Sequence, residues 1–257
     1  MNGRIFSVVG GMFLLTVCSK GDGTVQAAPP AAQPAVPTVD VSAAGGTITG
    51  KIKFTGAAPR NPAIDMSEEA ACKAKYTTPP TEENVVAGPA NALSNVFVYV
   101  SAGVPAGQTF TAPTTPVVLD QNGCRYHPHV FGVMVGQSIE VRNSDPLLHN
   151  IKAIAKKNRP FNVSQPNAGM TKTVTFAAPE VMVNLECNVH GWMHAYVGVR
   201  PDPFFAVSGP DGSFSIKGLP PGTYTIEAWH EKFGTQTATV TIAGTETKTA
   251  NITFAAH

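Results

Sequence analysis

Four metal-binding side chains stand close together in a sequence otherwise poor in such groups. Cys187-Asn188-Val189-His190-Gly191-Trp192-Met193 sets a thiol, an imidazole and a thioether on one short loop. Upstream, Asn143-Ser144-Asp145-Pro146-Leu147-Leu148-His149-Asn150 carries a second His at a turn between strand-like runs. Soft sulfur donors favour Cu(I), imidazoles also accommodate Cu(II), and two His, a Cys thiolate and a weak Met form an electron-transfer set. One geometry serving both oxidation states reduces the rearrangement that accompanies each electron. Taken singly, Cys187 reads as an inert thiol, Met193 as a core filler, and His149 and His190 as loop residues. Together those readings leave a free thiol unexplained in a chain whose leader directs export. Zinc suits the Cys and His donors but not Met193. His194 follows Met193 and is a rival axial ligand, although strand alternation points it away.

These residues resemble a cupredoxin, of the amicyanin and plastocyanin-like type 1 blue-copper class. The compact C-x2-H-x2-M loop is most similar to the amicyanin form. The resemblance spans about 104–200 and implies a Greek-key β-sandwich over 103–203 holding one type 1 copper ion. It further implies His149, Cys187 and His190 as equatorial ligands and Met193 as the axial one. Asn150 would hydrogen-bond the Cys sulfur through its backbone or its side chain.

The elements that must position these groups are strands. From Gly46 onward, alternating or β-branched runs recur at 47–54, 96–100, 116–119, 130–135, 138–142, 171–176, 181–186, 196–200, 213–216, 223–228, 238–242 and 248–254. Gly, Pro, Asn and Asp turn signals separate them. One helix is expected, over Ser67–Tyr76, with Ser67 as its cap and Glu68 and Glu69 in its first turn. The fold class is all-β, with two sandwiches.

The C-terminal stretch has its own pattern. Phe205 to Ile216 contains the hairpin turn Asp211-Gly212, and Leu219-Pro220-Pro221-Gly222 leads into a strand that opens on Thr223-Tyr224. Together these resemble the carboxypeptidase regulatory-like domain, a transthyretin-like sandwich. Strands such as Gly46–Ile52 and Asn95–Val100 usually open that module, yet here they lie about a hundred residues upstream. The expected organisation is therefore a signal peptide over 1–27, a linker over 28–45, a module split into 46–102 and 204–257, and a cupredoxin domain at 103–203 between its parts. Such modules are mostly scaffolds, so this resemblance assigns no chemistry.

The other cysteines divide by place. Cys18 lies in the leader. Cys72 and Cys124 remain as a pair in an oxidising compartment, where a disulfide would pin the 56–92 excursion to the inserted domain. His127, His129 and His230 read as polar residues at strand ends, with a second site or a module interface as the alternative; His257 is terminal. Trp192 shields the ligand loop or offers an aromatic docking surface. Lys152, Lys156, Lys157 and Arg159 form a basic run that reads as a solvated edge, or as a steering surface for an acidic redox partner.

Composition narrows the field further. The chain has 257 residues, 14% charged, with a formal net charge of +1. That balance excludes a coiled coil and argues against nucleic acid as a partner. No apolar run reaches the roughly 18 residues of a membrane span. Arg4 and the apolar stretch Ile5 to Val17 read as an export signal. Leu15-Thr16-Val17-Cys18 resembles a bacterial lipobox, and Val25-Gln26-Ala27 is a rival processing site. Loss of 1–27 removes Arg4, Lys20 and Asp22 and leaves a formally neutral chain. The Pro/Ala-rich segment that follows is an extended tether. No nucleophile elbow, phosphate loop, His-Glu-x-x-His or haem motif is present, so no enzyme activity is expected. The expected function is single-electron transfer by an exported protein, periplasmic or at the cell surface, with Cys18 as a lipid tether and a redox protein as partner. Two other readings are a copper-binding protein that delivers the ion without redox cycling, and a surface carbohydrate-binding-like module with a structural metal.

Overall fold

The computed structural model describes residues 45–255. The leader with Cys18, the tether up to residue 44 and His257 lie outside the described residues. In chain order the first strands are β1 (Gly46–Thr55), β2 (Phe97–Ala102), β3 (Val117–Gln121), β4 (Tyr126–His127), β5 (Val130–Met134) and β6 (Ile139–Asn143). Next come β7 (His149–Ile154), β8 (Phe161–Gln165), β9 (Thr171–Val174), β10 (Glu180–Glu186) and β11 (His194–Arg200). The last are β12 (Phe205–Val207), β13 (Ser213–Leu219), β14 (Gly222–His230), β15 (Gly234–Ile242), β16 (Thr247–Thr249) and β17 (Ile252–Ala255). The molecule is all-β, as its alternating sequence requires.

Two cores organise these strands. The sheets β13-β1-β16 (with β17 beside β1) and β12-β2-β14-β15 share one. It is filled by Ile48, Ile52, Val98, Val100, Tyr224 and Ile226. The sheets β5-β11-β10-β7-β8 and β4-β3-β6-β9 share the other, around Leu119, Val133, Val141, Ile151, Val183 and Val197. Strands from both ends of the described chain thus build the first sandwich, and the chain between them builds the second. Alternation explains the division of faces: β1 reads buried, then half-buried or exposed, at every second residue.

A small aromatic seam joins the two sandwiches. Phe97, Tyr99 and Val130 are buried there against Tyr196, Phe205 and Trp229. The rings press directly on strand backbone. A Cβ at Gly198 would come within 2.3 Å of the Phe97 ring, and one at Gly132 within 2.5 Å of Phe205. Glycine is therefore required on β5 and β11 at these two contacts. Arg200 spans the same seam, donating to the Val100 carbonyl at 2.6 Å and to Asp202 at 2.9 Å.

The expected helix over Ser67–Tyr76 shrinks to one turn, α1 (Ala70–Lys73). Ser67 does not cap it. Its backbone N–H instead donates to Asp65 Oδ1 at 2.9 Å, and Glu69 stands at the cap position with no side-chain bond. Short helices are marginal in water, and Cys72 is drawn into the core by its disulfide.

Candidate metal centre

The ligand loop hangs between β10 and β11, which pair antiparallel and end their register at Glu186 and His194. Residues 187–193 bridge that end. The Cys187 N–H donates to the Met193 carbonyl at 3.1 Å, and the Met193 N–H to the His190 carbonyl at 2.9 Å. The loop is therefore closed twice by its own backbone. His149 begins β7, which pairs with β10, so the second His arrives from the neighbouring strand. All four predicted ligands are withdrawn from water: His149 is 0% exposed, Cys187 4%, His190 2% and Met193 1%.

Three donor atoms converge. His149 Nδ1 lies 3.0 Å from His190 Nδ1, and Cys187 Sγ lies 3.9 Å from His190 Nδ1. One ligand atom from each of the three lies within 4.8 Å of the others. Met193 belongs to the same buried apolar cluster as Cys187. Burial pushes the Cys187 thiol up, but hydrogen bonds from the His149 and His190 rings and from the Asn150 backbone hold it down to about 5. It is a thiolate at neutral pH, the form that binds metal.

The groups behind the donors set their orientation. His149 Nε2 is 2.9 Å from Asp145 Oδ2, with both side chains fully buried. With a proton held on Nε2 by the carboxylate, an ion that displaces the proton Nδ1 shares with its neighbours would meet the Nδ1 lone pair. Asp145 also accepts from the Cys124 N–H at 2.7 Å and the Gly123 N–H at 3.0 Å, and pairs with Lys75 at 2.7 Å. Burial pushes its carboxyl up; the Lys75 ammonium and these N–H groups outweigh that and hold it below the ordinary carboxylate range. Asn150 Oδ1 accepts from the Asn188 N–H at 2.6 Å, tying the β7 end to the ligand loop.

Cys72 and Cys124 form a disulfide, and this brings the 56–92 excursion onto the centre. Cys72 Sγ sits 3.7 Å from His190 Nε2, and Glu69 lies 3.9 Å from the same nitrogen. Trp192 donates from its indole to the Cys124 carbonyl at 2.9 Å, with its ring 5.2 Å from that of His190. Asp145, Lys75 and Glu69 were missed as functional residues in the sequence. Only Asp145 carried a signal, its place four residues before His149. His194 turns away from the centre, toward Glu231.

The donor set fits copper. Two lone-pair nitrogens, or one and a shared proton, face each other beside a thiolate, and a soft cation satisfies all three at once. The other clusters of His, Cys and acidic groups around this point use Cys72 or Cys124, whose sulfurs are committed to the disulfide.

Comparison with known proteins agrees with the C-terminal expectation. Residues 195–255 match the family model of the carboxypeptidase regulatory-like domain. The first of these residues lie on β11, in the sheet that holds the ligand loop. The chain matches none of the curated protein sequences. Among solved structures it is similar to a Cu-containing nitrite reductase from Thermus scotoductus SA-01, at 22% identity and a TM-score of 0.33. That match covers 40% of this chain and 26% of the reductase, so the chain spans about a quarter of that protein. A mutant of amicyanin in its Cu(I) state matches at 20% identity and a TM-score of 0.30, over 33% of this chain and 82% of amicyanin. A purple cupredoxin from Nitrosopumilus maritimus matches at 21% and 0.28, over 32% and 98%.

Proposed function

We propose that this protein is an exported copper protein that carries single electrons between partners and transforms no substrate. The observation that carries this is the convergence of His149, His190 and Cys187, with His190 Nδ1 3.0 Å from His149 Nδ1 and 3.9 Å from Cys187 Sγ, around a thiol held to about 5. Copper bound by these atoms, with Met193 as the axial donor, would take up and release one electron. Cys187 supplies the charge and the soft donor. Asp145 holds His149 in one orientation, and the Asn150–Asn188 bond and the closed loop keep the ligands in place in both oxidation states. Burial of all four keeps water away, which lowers the reorganisation that an electron must drive.

Delivery follows from what surrounds the site. Leu148 and Val189, next to the two His ligands, are 44% and 42% exposed. Lys152 follows on the same strand, with Lys156, Lys157 and Arg159 beyond it. An acidic redox protein suits this combination of apolar contact and positive charge. A leader at 1–27 and a tether behind Cys18 suit a domain held off a membrane, in the periplasm or at the cell surface.

Copper titration of the full chain followed by oxidation tests this reading. An intense visible thiolate-to-copper absorption and a reversible one-electron couple are expected, and Cys187→Ser abolishes both. Copper binding with neither property would sink electron transfer and leave storage or delivery of the ion.

A further inference from the structure

Glu231 stands at the turn between β14 and β15, where a carboxylate ordinarily reaches water. Its side chain is only 5% exposed. Among the described residues its ion-pair partners are two imidazoles, His129 Nε2 at 2.5 Å and His194 Nε2 at 3.9 Å. The Tyr196 hydroxyl donates to it at 3.4 Å. A buried negative charge thus has no permanently positive partner, an arrangement that is costly unless a cation completes it.

His194 shows where its proton lies. Its Nδ1 is 3.1 Å from the Trp192 carbonyl, which can only accept, so Nδ1 carries a hydrogen and, in the neutral ring, Nε2 presents a lone pair. That lone pair faces Glu231 Oε2 across 3.9 Å, too far for a hydrogen bond. Two atoms bound tetrahedrally to one ion at about 2.0–2.2 Å are about 3.4 Å apart, so a small closure of this gap would let one ion bridge them, and His129 would exchange its 2.5 Å hydrogen bond to Oε1 for the ion. A His whose far nitrogen is anchored on a carbonyl is also the arrangement that metal-bound imidazoles adopt. His129 closes the group from the other side, its ring 5.1 Å from that of His194, and its side chain is 4% exposed. One ligand atom from each of the three lies within 4.8 Å of the others. His194 and Glu231 also line a polar cleft, together with Asn184, Glu186, Cys187 and Lys232.

We propose that His129, His194 and Glu231 form a second metal site, for a divalent first-row transition ion that takes nitrogen and oxygen donors. Zn(II), Co(II) and Cu(II) match that donor set, with an open position toward the cleft. The site draws its ligands from the ends of β5 and β11 and from the β14–β15 turn, so an ion there braces both sandwiches. It lies one residue along the chain from Met193 and shares no ligand with the first centre.

The full chain, stripped of metal and given one equivalent of Cu(I), is titrated with Co(II) by calorimetry and by d–d absorption. One further equivalent binds, and the melting temperature rises with Co(II) concentration. Glu231→Gln and His194→Gln each weaken that binding by at least roughly tenfold, while the absorption of the first centre after oxidation is retained. If Glu231→Gln loses its fold by circular dichroism, His194→Gln, whose ring is 21% exposed, decides. Absence of a second equivalent, or unchanged affinity in a folded variant, overturns the site and leaves His129–Glu231 as an ion pair. Should the first centre take no copper, Co(II) at the second is still recognised by the absence of a thiolate charge-transfer band, so the two readings fail separately.

Discussion

Asp145 Oδ2 lies 2.9 Å from His149 Nε2, both side chains are sealed from solvent, and the same carboxylate holds the backbone N–H of Cys124 at 2.7 Å. One buried charge therefore connects the orientation of the His149 ring to the disulfide beside it. The Lys75 ammonium, from the excursion that the disulfide anchors, balances that charge at 2.7 Å. The orientation of His149 and the docking of the excursion therefore depend on one carboxylate.

Asp145→Asn keeps the shape of the side chain and removes its charge. The His149 ring loses the partner that fixes its tautomer, and Lys75 loses its counter-charge. Copper affinity is expected to fall by roughly 10–100-fold, the range for removal of a partner behind a ligand. A competition titration with a chelator of known affinity measures it; equal affinity in both proteins would show that Asp145 does not orient the ligand.

The Cys72–Cys124 bridge spans 52 residues of sequence. Loop-closure entropy for that length is worth about 4 kcal/mol in the unfolded state, and observed values fall somewhat lower. Cys72→Ala with Cys124→Ala should lower stability by about 2–4 kcal/mol, read from urea unfolding. The double variant should also expose the 56–92 segment to protease ahead of global unfolding. Coincident cleavage and unfolding would contradict a local role for the bridge.

Gly198→Ala places a methyl group 2.3 Å from the fully buried Phe97 ring. Overpacking of this kind costs roughly 1–3 kcal/mol. Phe97→Leu made in the same chain frees space at that contact. The two changes together should cost less than the sum of each alone, and strict additivity in the cycle would mean that the ring is not what excludes a side chain at 198.

Glu180 supplies the pH dependence. Its carboxylate is 7% exposed and accepts from the backbone N–H groups of Lys157 and Asn158 at 3.0 and 3.1 Å. Burial pushes its pKa up, but these bonds, with others from Lys156 and the Asn158 amide, bring it below its ordinary value of 4.5. A carboxyl depressed on folding contributes stability that is complete above that value and is lost as pH falls through the folded pKa. Urea midpoints should therefore drop on acidification below about pH 4.5, and Glu180→Gln should flatten that limb while lowering stability at pH 7. An unchanged acid limb in the variant would assign the loss to other carboxylates.

Local pattern alone was enough to determine the strand-rich class and to set Cys187, His190 and Met193 on one loop. All twelve strand-like runs fall on strands, because side chains that alternate in polarity along an extended chain can bury only one face. The run at 248–254 divides into β16 and β17. Cys187, His190 and Met193 were legible because one short loop carries all three. His149 was legible because its turn signals precede it at once. The strands β4, β7, β8 and β12 were not legible. β7 carries Lys152 and β8 is mostly polar, and both are held by ladder bonds to neighbours rather than by their own pattern. The helix at Ser67–Tyr76 shrank for the converse reason, a local preference overruled by the bond from Ser67 to Asp65 and by the disulfide at Cys72. Asp145 with Lys75, Glu69 against His190, and the meeting of His129, His194 and Glu231 were decided by tertiary structure alone. Those groups are separated by tens of residues, and nothing in local periodicity encodes a contact made only when two sandwiches close on each other.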